Sequence, residues 1–262
     1  MTINTSKRVA VITGAAHGIG RATALMLEEN VDALILMDID EKRLVEIQNQ
    51  ISEKTEKSTA VAVDTYRVDV TQETEVREVF SKIQDTYSRL DILINAVGGS
   101  TSAGSPGVLT EDMDLLQWQS LIALNLTSAF LCCREAIPLM KKNGYGRIVN
   151  FSSIARHGRR DKVSTAYAAS KSGVDGFTRK LAREIAPFGI TCNAIASGIT
   201  LTERIYEQFW SVRSDAQKLA VLDSIPVGRL STPEEQAQVV IFLASEAASY
   251  LTGQIIEVSG GI

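Results

Sequence analysis

Tyr167 and Lys171 stand four residues apart in "YAASK", a spacing that puts both side chains on one face of a helix. The small residues of "AYAASKSG" permit close approach of a ligand. A tyrosine hydroxyl has an unperturbed pKa near 10, so acting as a base near pH 7 requires a drop of about 3 units, or ~4 kcal/mol. One cation at ~4 Å supplies about that much at an effective dielectric constant of ~20. Lys171 is one available cation and an oxidised nicotinamide ring is another. The phenolate then takes a proton from an alcohol as hydride leaves its carbon; in reverse, the hydroxyl protonates an alkoxide. Ser153, 14 residues before Tyr167, closes a strand-like run and can hold the substrate oxygen. Asn125 lies inside a long helical stretch, where asparagine is a mediocre helix former, and can hold a water that relays protons to Lys171. The plain alternative is an exposed Tyr/Lys pair with no role. The company of Ser153 and of a glycine turn argues against it.

That turn is "TGAAHGIG", with Gly14, Gly18 and Gly20 between a strand and a helix. Glycines there let the backbone turn tightly and approach a pyrophosphate, and the helix N-terminus favours its charge. Asp38 ends the second strand, 24 residues beyond Gly14, near the position expected to hold the adenosine ribose. Its carboxylate would repel a 2′-phosphate by about 3 kcal/mol at ~5 Å and an effective dielectric constant of ~20, which favours NAD over NADP. A strand-end cap is the alternative for Asp38, and a solvated helix face for Lys42 and Arg43. Asp69 in "RVDVT" ends the third strand, where the adenine can lie. Asn95 in "LINAVGG" ends the fourth. A buried asparagine can tie two strand ends together and leave Gly98 and Gly99 near the cofactor. Asp69 and Asn95 can equally be satisfied turn residues.

Seven short apolar runs read as strands: "RVAVIT", "ALILMD", "AVAVDTYRVD", "DILINA", "RIVNFS", "GITCNAIA" and "IIEVSG". Their near-continuous apolarity suits strands buried on both faces of a parallel sheet. Helices are predicted near 18–29, 41–54, 72–87, 112–142, 164–187 and 233–247, the last starting at Pro233 with Thr232 as cap. This alternation predicts an α/β fold, a single Rossmann-like doubly wound parallel sheet with helices on both faces and ligands at the strand C-termini. Residues 1–262 read as one dinucleotide-binding and catalytic domain. Helix 112–142 is apolar nearly all round its middle, so one face needs a cover beyond the sheet: another subunit, or the chain's own helices.

At 262 residues, 45% hydrophobic, 22% charged and net charge −4, the chain has ordinary globular composition. No dominant basic excess points to nucleic acid. No apolar run reaches the ~18 residues of a bilayer span, and no secretory signal is visible. Cys132, Cys133 and Cys192 read as reduced packing residues of a cytoplasmic protein. With two histidines and no zinc spacing among the cysteines, a metal site is not expected.

"TGAAHGIG", "DILINAVGG", Asn125, "RIVNFSS" and "YAASK", in this order and from Lys7 to the C-terminus, resemble the short-chain dehydrogenase/reductase family in its single-domain form. The resemblance implies Ser153, Tyr167 and Lys171 as the catalytic set, with Asn125 in support. It implies NAD surrounded by Gly14, His17, Gly18, Ile19, Gly20, Asp38, Ile39, Asp69, Val70, Asn95, Ala96 and Gly98. Tyr167 and Lys171 would also touch it, Lys171 through the nicotinamide ribose, and Gly198, Ile199 and Thr202 would lie near the carboxamide. It also implies a homotetramer with paired long helices, and a substrate lid at 198–230. The chain departs from the family pattern at Asn95-Ala96-Val97-Gly98, where Asn-Asn-Ala-Gly is usual, and at Ser197-Gly198, where Pro-Gly is usual. The gap from Ser153 to Tyr167 is one residue longer than the pattern, which makes Ser152 a weaker candidate for the serine role.

Arg156, His157, Arg159 and Arg160 follow Ser153, in a loop that borders the substrate pocket in this family. Arginine grips carboxylate, sulfonate and phosphate oxygens through paired hydrogen bonds. An anionic or highly polar substrate held by Arg156 or Arg159 is one reading; a solvated loop, or salt bridges to acids such as Asp161, is the other. The leading expectation is an NAD-dependent dehydrogenase of a secondary alcohol or sugar hydroxyl, giving a ketone or lactone, with a sugar acid, sulfonated sugar or hydroxy acid as candidate substrate. The alternatives are a 3-oxoacyl thioester reductase, a cis-dihydrodiol dehydrogenase of aromatic acid breakdown, and an NAD-sensing scaffold without catalysis.

Overall fold

The computed structural model describes residues 8–54, 61–100, 107–158 and 163–262. All seven expected strands form: β1 (Val9–Thr13), β2 (Ala33–Asp38), β3 (Ala62–Arg67), β4 (Ile92–Asn95), β5 (Gly146–Ser153), β6 (Ile190–Ser197) and β7 (Ile255–Val258). They pair in parallel in the order β3-β2-β1-β4-β5-β6-β7. Every residue of β1, β4 and β5 is buried, as their unbroken apolar runs require, whereas the edge strands β3 and β7 are only partly covered.

Alternate residues of each strand feed opposite faces. Val9 and Val11 join one core with α3 (Glu73–Tyr87), α5 (Ser128–Asn143) and α6 (Thr165–Ile185). Ala10 and Ile12 join the other with α1 (Gly18–Leu27), α2 (Glu41–Lys54) and α9 (Pro233–Leu243). Thr232 caps α9 in a reciprocal pair with Glu235, and Pro233 opens the helix as expected. The strand order reverses between β1 and β4, so the crevice for a ligand opens at their C-terminal ends. The three cysteines are free and buried. Burial pushes their thiols up, Cys133 to about 12, which suits packing rather than reactivity.

Three expectations need correction. β3 stops at Arg67, so Asp69 lies two residues beyond the strand rather than at its end. The predicted helix 112–142 is broken: α4 (Leu115–Ile122) and α5 flank a π turn over Ala123–Thr127, in which the Ser128 N–H bonds the Ala123 carbonyl. The whole Leu115–Asn143 stretch, with mean hydropathy 1.3 over 18 residues, has the length and composition of a membrane span after all. Here Cys132, Ala136 and Met140 on one face are buried in the sheet core, while Leu116 and Phe130 stay exposed.

Between β6 and α9 the chain adds two helices that its mixed pattern did not predict, α7 (Glu203–Ile205) and α8 (Asp215–Asp223), joined through a π turn at Tyr206–Trp210. Ile199, Ile225 and Leu230, with Phe209, Trp210 and Leu222, form a small apolar cluster separate from both main cores.

Candidate active site

β5 and α6 position the proton-handling groups. The two serines ending β5 face opposite ways. The Ser152 hydroxyl donates at 2.6 Å to Oδ1 of Asp175, buried midway along α6. Ser153 Oγ accepts from the Ala155 N–H at 3.1 Å and caps the turn Ile154–His157. Ser153 is therefore the serine at the strand's open end, and its proton remains available to a substrate oxygen. Ser164 caps α6 through the Tyr167 N–H, which starts the helix three residues before the tyrosine. Lys171 lies one turn on. Its Nζ sits 5.8 Å from the Tyr167 ring centroid and donates to the Phe151 carbonyl at 2.6 Å.

Lys171 is only 3% exposed. Burial pushes its pKa down to about 7; the Arg204 guanidinium adds to the fall and Asp175 opposes it. This revises the electrostatics expected from sequence: near neutral pH the buried amine is a part-time cation.

Gly98 joins this pair to Asn125. A Cβ on Gly98 would lie 2.7 Å from Asn125 Oδ1 and 2.9 Å from Lys171 Nζ. The π turn aims the Asn125 amide at Gly99, accepting from its N–H at 2.9 Å and donating to its carbonyl at 3.0 Å, with a further bond to the Leu121 carbonyl. The amide is thus committed to backbone. It anchors the loop after β4, a role that sequence did not suggest.

The glycine turn meets the end of β2 beside this loop. Gly14 and Gly18 both have positive φ, and a Cβ on Gly20 would strike the Gly14 carbonyl. α1 has no side-chain cap and no acid in its first turn, because His17 turns away to Asp40 (3.0 Å). Its leading N–H groups are open to an anion, which fits the pyrophosphate of a dinucleotide. Asp38 accepts from the Ala16 N–H (3.0 Å) and the Asp40 N–H (3.1 Å), so it does cap the strand end and at the same time fixes a half-buried carboxylate beside the turn. Arg43, the nearby cation, pairs with Glu203.

The remaining positions divide. Asn95 is buried and donates to Asn150 Oδ1 at 2.8 Å, tying β4 to β5. Ala96 packs against the turn at Gly14 and Gly20. Ile19 packs into the core. Ile39, 65% exposed, stands bare just beyond Asp38. Asp69 takes both the N–H and the hydroxyl of Thr71, a turn residue, and Val70 is buried. Gly198 lies against Ser259, Ile199 packs into the small apolar cluster, and the Thr202 methyl presses on Gly18.

Arg156 requires the plainest correction. Its guanidinium is 11% exposed and pairs with Asp175 at 3.2 Å and Glu257 at 2.7 Å, while His157 shares Glu257. These carboxylates neutralise it in place, so Arg156 is not free to clamp a substrate anion. Arg159, Arg160 and Asp161 lie outside the described residues. Sequence reading missed Arg204, whose guanidinium covers Gly99; a single cation in a segment of mixed charge carries no signal of its own.

A family model described as enoyl-(acyl carrier protein) reductase matches residues 14–262. The 3-oxoacyl-[acyl-carrier-protein] reductase of Thermotoga maritima is 37% identical over 259 residues, 97% of each chain. An NAD-dependent glycerol dehydrogenase of Listeria innocua is 35% identical over 260 residues, 98% of this chain and 94% of that one. A 3-oxoacyl-[acyl-carrier protein] reductase structure with bound NAD, from Brucella melitensis, superposes with a TM-score of 0.85 at 29% identity, covering 98% of this chain and 92% of that one. The sheet order, the glycine turn and these matches together show that the chain belongs to the short-chain dehydrogenase/reductase family, oxidoreductases that act on CH–OH groups with a nicotinamide cofactor.

Proposed function

We propose that this enzyme uses NAD to oxidise a secondary alcohol or sugar hydroxyl, giving a ketone or lactone. The observation that carries this reading is Asp38. Its carboxylate is fixed by two backbone N–H groups beside the phosphate-binding turn, and Arg43, five residues on, is engaged by Glu203. A 2′-phosphate there meets a charge that cannot swing away.

The nicotinamide ring accepts the hydride. Tyr167 moves the proton of the substrate hydroxyl, Ser153 holds the substrate oxygen, and Lys171 tunes the phenol when protonated. Asn125 acts from behind, through Gly98 and Gly99. The lid is residues 198–230, closing over the glycine turn through Thr202. We further propose a cytoplasmic homotetramer without nucleic-acid or membrane partners. Exposed Leu115, Leu116 and Phe130 on the long helical stretch give one subunit contact, and three reduced buried thiols suit that compartment.

The test is NADH and NADPH formation measured side by side on a panel of alcohols. We expect NAD to be preferred by roughly 10²-fold, the equivalent of the ~3 kcal/mol repulsion, and Asp38→Ala to narrow the gap. A native preference for NADP sinks the reading.

The second reading is a 3-oxoacyl thioester reductase, favoured by the activity named for the Thermotoga maritima relative. Against it stands the charge near the tyrosine. Thr110 bonds Thr165, two residues before Tyr167, and brings exposed Glu111, Asp112 and Asp114 to the start of α6. That is a poor landing surface for an acidic carrier. Efficient reduction of an acetoacetyl thioester by NADPH, with no alcohol oxidation by NAD, decides for this second reading.

A further inference from the structure

We propose that Arg204 is the substrate-recognition residue of this enzyme. Its partner is an oxyanion (carboxylate, sulfonate or phosphate monoester) carried by the hydroxy compound that is oxidised. The inference rests on the dehydrogenase reading above and names the substrate class for that site.

The geometry comes first. From the end of β6 the chain crosses the glycine turn, with the Thr202 methyl on Gly18, and two residues later delivers the Arg204 guanidinium onto Gly99. A Cβ on Gly99 would lie 3.1 Å from Arg204 Cζ, and one on the adjacent Gly98 would lie 2.9 Å from Lys171 Nζ. Consecutive glycines thus present the two cations side by side, next to the groups proposed to handle the proton. Asn125 holds the Gly99 backbone in place for this contact.

The pairing comes second. Among the described residues, Arg204 has no hydrogen-bond or ion-pair partner. Other arginines are committed: Arg43 to Glu203, Arg156 to Asp175 and Glu257, and Arg213 to the Phe209 carbonyl. Asp175, the acid felt by Lys171, is buried and already bound by Ser152 and Arg156. Among the described residues, no carboxylate forms an ion pair with Arg204 or Lys171.

The chemistry follows. Oxidation of an alcohol by NAD takes place beside a positively charged ring. Arg204, a protonated Lys171 and that ring are three like charges in one cleft. A neutral alcohol leaves them unbalanced, whereas an oxyanion on the substrate neutralises one and gains paired N–H donors from a planar fork. The dinucleotide's own pyrophosphate is the competing anion. It belongs at the start of α1 beside Gly18, whereas Arg204 points past that turn to Gly99. A groove of about 470 Å³ between α1 and the lid is a poor substitute site for an anion, because Glu203, Glu207 and Glu234 outnumber Arg21 in its lining.

The experiment compares charged and neutral members of matched pairs: 3-hydroxybutyrate with its methyl ester, and glucose with glucuronate, 6-deoxy-6-sulfoglucose and glucose 6-phosphate. kcat/KM with NAD is measured for the native enzyme, Arg204→Ala and Arg204→Lys, and NADH affinity is read separately by fluorescence. Arg204 is exposed, so neither variant disturbs a core. We expect at least a tenfold native preference for the charged member of one pair, which identifies the oxyanion. That ratio should collapse in Arg204→Ala and recover partly in Arg204→Lys. Equal native rates on charged and neutral members overturn the inference and leave the dehydrogenase standing. Weaker NADH binding in Arg204→Ala, with the substrate ratio unchanged, assigns Arg204 to the cofactor and also overturns it. Failure of every alcohol with either cofactor removes the dehydrogenase reading, and this inference with it.

Discussion

The two walls of the catalytic cleft are built on different terms. On one side, Ser153, Tyr167 and Lys171 stand on β5 and α6, held by the main cores, with Lys171 hydrogen-bonded to the strand beneath it. On the other, residues 198–230 rest on a small cluster of their own around Ile199, Ile225 and Leu230. Proton transfer needs donors fixed to fractions of an ångström, and the sheet supplies that. Substrate admission needs a surface that opens, and a surface anchored by few buried groups opens at low cost. The proposed proton chemistry lies on the wall held by the sheet, and the unpaired Arg204 on the weakly anchored one.

The sharpest way to break this comparison is Tyr167→Phe. If the rigid wall carries the proton transfer, turnover falls by roughly 10³-fold while NADH binding, read by fluorescence, stays near native. A scaffold that only senses NAD is barely affected, so retained turnover or its absence in the native chain separates the readings.

Equivalent truncations in the two walls sharpen it. Leu36→Ala, at a fully buried position of β2, should cost about 2–5 kcal/mol of stability in urea unfolding. Ile205→Ala, in the half-buried cluster of residues 198–230, should cost well under about 2 kcal/mol and, if that segment is the proposed lid, raise KM several-fold with little change in kcat. If Ile205→Ala destabilises the whole molecule as much as Leu36→Ala, residues 198–230 are an integral part of the core and not a lid.

Sequence alone made the sheet-held wall legible and left the other obscure, for a physical reason. Strands buried on both faces must be continuously apolar, so "RVAVIT" and "ALILMD" declare themselves, and Tyr167 and Lys171 share a helix face by spacing alone. The π turn at Asn125 was invisible because nothing in "IALNLTSAF" favours an i+5 bond; the amide's bonds to Gly99, 26 residues away, accompany it. Arg156 misled for the same kind of reason. Its partner Glu257 is 101 residues distant, and a lone run of arginines cannot show which of them will be neutralised. The helices within residues 198–230 escaped because a segment that buries few residues has weak periodicity to read.

The subtlest prediction concerns Lys171, where the rigid wall carries its own cost. Burial lowers this amine from its ordinary value to about 7 in the folded protein, whereas the unfolded chain restores a lysine near 10.5. Between those values the unfolded state binds more protons, so raising the pH favours the fold. The contribution is lost as pH falls through about 7 and is restored on approaching 10.5. Relative to Lys171→Met, which removes the titration, the native protein should gain on the order of 1 kcal/mol per pH unit between about pH 7 and 9, read from paired urea titrations. A flat difference across that range means the amine keeps its charge in the fold, with water or an unseen anion solvating it. Adding the preferred oxyanion substrate should move the same curve. By offsetting Arg204, it removes one cause of the depression, so the gain with pH begins at a higher pH in the complex. In that way the anion on the loosely held wall sets the protonation of the lysine on the rigid one.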